Sequence, residues 1–131
     1  MKQEDRELLL KDLCARLPYG VKAQVKYPIN TNDECIITTK EITSVNCGLD
    51  IVQAENLDII VGYYTFEVKP YLFPLSSMTE EQYKTYCELE HSGNMEHLSL
   101  PLLNWLLKNH FDVYGLIPMG LALDATGLGI Y

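Results

Sequence analysis

The sequence predicts an α+β fold on three observations: a helical apolar spacing before residue 18, β-rich runs over 21–68, and a capped helical pattern that resumes at Thr79. The expected architecture is an N-terminal helix, a five-stranded curled antiparallel sheet or SH3-like barrel, two C-terminal helices and an extended apolar tail. At 131 residues and 47% hydrophobic, the chain has the size of one globular domain, 1–131, with a core large enough to stand alone.

Glu4, Asp5 and Glu7 precede apolar positions at Leu9, Leu10, Leu13, Cys14 and Leu17, with Lys11 and Arg16 placed later. Acids before bases suit the helix dipole, so a helix is expected over 4–17. Pro18-Tyr19-Gly20 stops it. In VKAQVKY, Val21, Ala23, Val25 and Tyr27 alternate with Lys22, Gln24 and Lys26, the pattern of a half-buried strand. After the turn-rich stretch 28–33, residues 35–39 read as the return strand of a hairpin. Residues 42–47 are expected to form a short third strand, and 57–61 and 63–68 a fourth and fifth, with a bulge or bend at Gly62. The aromatic run ends at Val68, where Pro70 and Pro74 are expected to turn the chain out of its sheet. Thr79-Glu80-Glu81-Gln82 is a capping box, which starts a helix over 80–91 with Tyr83, Tyr86, Cys87 and Leu89 or Glu90 inward. A further helix over 100–110 takes Pro101 in its first turn and carries Leu102, Leu103, Leu106 and Leu107. The tail, 111–131, holds two charges, four glycines and one proline, too many breakers for a regular helix. Such a tail lies against its own domain, within the helical part and tail 79–131, or covers a partner, a second copy in a homo-oligomer included.

The net charge is −8, unevenly placed: residues 1–27 hold six Lys/Arg against four Asp/Glu, and the rest holds four against fourteen. An acidic surface repels phosphate backbones, which disfavours direct nucleic-acid binding and favours a basic protein partner. Lys22, Gln24 and Lys26 are the one basic strand face, a common way to blunt an edge. No run approaches the length of a membrane span, and the acidic N-terminus lacks a signal-peptide core, so a cytoplasmic setting with no membrane contact is expected. Four cysteines without a C-x-x-C pair read as ordinary thiols in a reducing compartment.

Three stretches, LLLKDLCARLPYGVK at 8–22, VKPYLFPLSSMT at 68–79 and NWLLKNHFDVYGLIPMGLAL at 104–123, resemble a family of small uncharacterised proteins encoded by gut anaerobic bacteria and their prophages and mobile elements. The resemblance samples both ends and the middle of the chain, and departs from the family over 46–66. It implies a bacterial cytoplasmic setting and a link to mobile elements. That family has no established activity or cofactor, so no residue role carries over.

Candidate chemistry is sparse. Cys87 and His91, one helical turn apart, with His97, are the best metal-like set, set against a buried thiol and solvated histidines. No Gly-x-Ser-x-Gly elbow, phosphate loop, dinucleotide fingerprint or H-E-x-x-H is present, and no cofactor is expected. Glu80, Glu81, Glu88 and Glu90 read as the solvated face of a helix. Tyr64, Phe66, Tyr71 and Phe73 are the leading binding surface, an aromatic groove for an extended peptide, unless the C-terminal helices and tail cover them as core. The function expected is therefore a non-catalytic protein-interaction or accessory module. The alternative is an acidic effector that mimics nucleic acid and blocks a basic protein. A hydrolase or small-ligand binder ranks third and requires a pocket of His110, Asp112 and Cys87.

Overall fold

Glu4 and Asp5 in the first turn and Arg16 in the last fit the dipole of helix α1 (Gln3–Arg16). In the computed structural model, residues 2–29, 34–62, 66–91 and 100–131 are described, the His91 side chain excepted. The buried face of α1 is Leu9, Asp12, Leu13 and Arg16, with Leu10 beside it. Leu9, Leu10 and Leu13 are buried and Leu17 packs against the core, as expected, but the i, i+3, i+4, i+7 set also takes in the charged pair Asp12 and Arg16, and Cys14, expected inward, is exposed. A 3-10 turn over Leu17–Tyr19 ends at Gly20, whose φ of +71° reverses the chain beside Glu41.

Strand β1 (Lys22–Pro28) pairs antiparallel with β2 (Cys35–Asn46) from Lys22↔Glu41 to Pro28↔Cys35. Val21, Ala23 and Val25 are fully buried, as their alternation requires. β2 absorbs the segment expected as a separate third strand: a register shift between Ile42 and Ser44 bends one long strand from β1 to β3 (Ile51–Ala54). β3 then pairs with β4 (Leu57–Ile60), Ile51 opposite Ile60.

The fifth strand lies later than expected. β5 (Glu67–Leu72) runs through Pro70 and pairs with β1, Ala23 opposite Pro70. Residues 63–65, assigned to that strand from sequence, lie outside the described residues. Pro70 is tolerated because backbone groups alternate sides. Leu72 O accepts from Ala125 N–H on the β6 side, so the proline nitrogen two residues earlier faces that side before β6 begins. β6 (Leu123–Asp124) is parallel to β5 at Tyr71 and Leu72. The sheet order is β4-β3-β2-β1-β5-β6. It is a six-stranded, mixed and open sheet, which replaces the expected five-stranded antiparallel sheet or SH3-like barrel. Closure fails because β4 ends one side and the short tail strand β6 ends the other.

Helix α2 (Glu80–His91) starts at the reciprocal box read from sequence: Gln82 N–H donates to Thr79 Oγ1 at 3.1 Å and Thr79 N–H to Gln82 Oε1 at 2.9 Å. Helix α3 (Leu100–Lys108) follows. One apolar cluster lies between α1, the sheet and tail residues Leu116, Leu121 and Ala122. A second gathers Leu102, Leu106 and Phe111 with Phe73, Tyr86, Leu89 and Trp105 around it. Tyr83, expected inward, is 61% exposed and stacks flat on Tyr86 at 6.3 Å. The tail is not a loose extension. Phe73 N–H donates to His110 O, and Asp112 N–H to Phe73 O, at 2.8 and 2.9 Å, so the tail is tied to the residue that follows β5.

Candidate functional site

Phe66, Tyr71 and Phe73, the described members of the expected aromatic groove, do not share one surface. Phe66 packs against the first apolar cluster and Phe73 against the second, while Tyr71 is 7% exposed. Tyr64 lies outside the described residues. In the β5 alternation Val68, Pro70 and Leu72 face the core and Tyr71 the opposite side, where the terminal Tyr131 comes up against it.

Tyr131 is placed by the sheet itself. The β1–β5 register would next pair Lys22 with Tyr71, but the Tyr131 hydroxyl stands between them. It accepts Lys22 N–H at 2.9 Å and donates to Tyr71 O at 2.8 Å, while Lys22 Nζ donates to Ile130 O at 3.0 Å. The Tyr131 ring stacks on His110 with centroids 3.6 Å apart and planes 9° apart. These two rings line a cleft of about 390 Å³ with Phe73, Ser77, Gln82 and Lys108. Burial, and then the Arg16 and Lys22 charges, push the His110 imidazole down to about 4, so it is neutral at physiological pH. Burial pushes the Tyr131 phenol up to about 12. His110 holds φ +62°, and its buried Nδ1 has no hydrogen-bond partner among the described residues.

Behind the cleft, Arg16 donates from Nε and Nη2 to the two Asp12 carboxylate oxygens at 2.8 and 3.0 Å, and from Nη2 to Phe111 O at 2.6 Å. Burial pushes the Asp12 carboxyl up, and Arg16 offsets only part of that. Asp112, the proposed companion of His110, is spent on structure: its two oxygens accept Leu116 and Ile117 N–H at 2.8 and 3.0 Å. Cys87 is half-buried on α2 and does not line the cleft. The three residues required for a hydrolytic pocket are therefore not brought together, and the Ser77 hydroxyl donates to Pro74 O at 2.7 Å.

Of the metal-like set, Cys87 sits on α2, His91 ends that helix with its side chain outside the description, and His97 lies outside the described residues. Among the described residues no group of three or more His, Cys, Asp or Glu could hold an ion.

Another exposed apolar surface lies elsewhere, at the end of the β1–β2 hairpin. Among the described residues β5 pairs with β1 only as far as Lys26, and β3 meets β2 only from Ile42 onward, so no third strand pairs with the far half of the hairpin there. Ile29, Ile36 and Ile37 there are 51%, 39% and 59% exposed. Register puts Ile36 beside Tyr27 on one face and Ile37 beside Lys26 on the other, and Ile29 N–H donates to Glu34 O at 3.0 Å. The sequence carried a signal for this: adjacent isoleucines on a strand face opposite ways, so a one-sided core can bury only one of them. No protein-family model matches the chain, and neither does a curated protein or a solved structure.

Proposed function

We propose that the chain is a non-catalytic protein-interaction module whose contact surface is the open end of β1 and β2. The observation that carries this is the exposure of Ile36 and Ile37 on β2 and of Ile29 just past β1, where no third strand flanks the pair among the described residues. A two-stranded ribbon with apolar residues on both faces is marginal in water and gains from a partner that covers it. The partner fits best as a protein with an apolar contact and basic surroundings, given the net charge of −8. A bacterial cytoplasmic accessory role, tied to a prophage or other mobile element, follows from the family resemblance. Tagged wild type and an Ile29→Asp/Ile37→Asp variant, used to capture proteins from native lysate, test the reading. Proteins bound by the wild type should be lost with the variant, whose exposed sites leave folding intact. Identical recoveries overturn the proposal.

A second reading, an acidic effector that mimics nucleic acid, is favoured by the exposed Glu80, Glu81, Glu88 and Glu90 of α2. It requires binding to a basic protein that weakens steeply with salt and survives the hairpin substitutions.

A further inference from the structure

We propose that Cys14 and Cys47 form a dithiol site that oxidises reversibly to a disulfide by exchange with a small-molecule disulfide such as glutathione disulfide. Their sulfurs lie 3.6 Å apart although 33 positions separate them in sequence. A disulfide needs about 2 Å between sulfurs, so side-chain rotation and a shift of about 1.5 Å complete the bond. Both thiols are exposed, and both line a cleft of about 530 Å³ with Arg6, Leu10, Lys11 and Asp50. That opening admits a small reagent to either sulfur.

The pair is held by structure on both sides. Cys14 is fixed in the last turn of α1. Cys47 opens the turn between β2 and β3, which is pinned where Leu49 N–H donates to Asn46 Oδ1 at 3.2 Å and Val61 N–H to Asp50 O at 2.8 Å. Arg6 Nε pairs with Asp50 at 3.6 Å, a second link between the same helix and turn. Closing the bond therefore asks for little backbone movement.

The Cys14 thiol is pushed up to about 11, by burial first and by Cys47 second. Both sulfurs are exposed in the cleft and the exchange can begin at either, as it does here at Cys47. Its thiolate displaces one glutathione thiolate and forms a mixed disulfide. Cys14 loses its proton, attacks the Cys47 sulfur and expels the second glutathione. Two electrons pass from the protein dithiol to the reagent, and the two thiol protons end on the two glutathiones released.

The test is equilibration of the full chain in glutathione buffers from fully reduced to fully oxidised, followed by acid quench, thiol titration and peptide mapping. The free thiols should fall from four to two, and the Cys14 and Cys47 peptides should become linked. The thermal midpoint of the oxidised form should rise by roughly 10 °C, because the crosslink spans a long loop. Cys14→Ser should leave Cys47 as a stable glutathione adduct, since no second thiol resolves it. Four free thiols in fully oxidised buffer, two separate glutathione adducts, a link between any other pair, or a two-thiol loss in Cys14→Ser would each overturn the proposal.

Discussion

The His110 imidazole gives the sharpest prediction about the fold. Its ordinary value is 6.5 and the native surroundings hold it at about 4, by burial first and then by the Arg16 and Lys22 charges. Between those values the unfolded chain binds a proton that the native chain refuses. The stability from this group is therefore full above pH 6.5 and lost as the pH falls toward 4. Complete expression of the difference amounts to about 3 kcal/mol, and partial exposure of the ring screens it to about 1.5 kcal/mol. His110→Asn removes the titration and keeps a residue that tolerates the observed φ of +62°. Urea unfolding, followed by fluorescence of Trp105 in the adjoining cluster, is measured for both proteins at pH 7 and pH 4.5. The wild type should lose about 1 kcal/mol more than the variant between those conditions, because the shared carboxylates titrate alike in both. Parallel losses would refute the assignment of a suppressed imidazole.

Two further predictions concern the groups behind that ring. Asp12→Ala should cost about 3–5 kcal/mol, because it strands the fully buried Arg16 charge, whose Nη1 already has no partner among the described residues. Asp12→Leu with Arg16→Met should recover most of that loss in the same denaturation assay, and failure to do so would show that Arg16 holds Phe111 O for more than charge balance. Tyr131→Phe should cost about 1–2 kcal/mol by leaving Lys22 N–H and Tyr71 O unpaired at the sheet end. Amide exchange at Lys22 should speed up in that variant while Val25 stays protected, and unchanged exchange at Lys22 would mean that the hydroxyl is dispensable.

What the sequence made legible follows from local physics. Charge order, the Thr79–Gln82 box and the Val21–Tyr27 alternation each act within a few residues, and the corresponding elements form where expected. The errors arise where a distant group decides. Pro70 reads as a strand breaker until the tail, more than fifty positions later, is known to pair only from Tyr71 onward. The bend in β2 depends on its changing partners, from β1 to β3, which no local pattern encodes. On the inward face of α1 an apolar pattern finds Leu9, Leu10 and Leu13 but passes over Asp12 and Arg16 because they are charged, and only Phe111, 95 positions from Arg16, shows why an ion pair sits there.

The same distinction separates the aromatics around residue 70 from the hairpin. A run of tyrosines and phenylalanines advertises hydrophobicity, yet hydrophobicity alone does not say whether a tail will cover it. Here the tail reaches two of these residues: Tyr131 is hydrogen-bonded to Tyr71 O and sits 6.0 Å from Phe73 in a tilted ring pair. Ile36 and Ile37 advertise less, but their adjacency on a strand imposes opposite faces on them whatever else folds. Pairing with β1 alone then leaves them no sheet neighbour on the other side. Exposure on this hairpin is thus a consequence of strand geometry and sheet order together, and a partner that contacts both faces of the ribbon is the arrangement that would bury all three isoleucines at once.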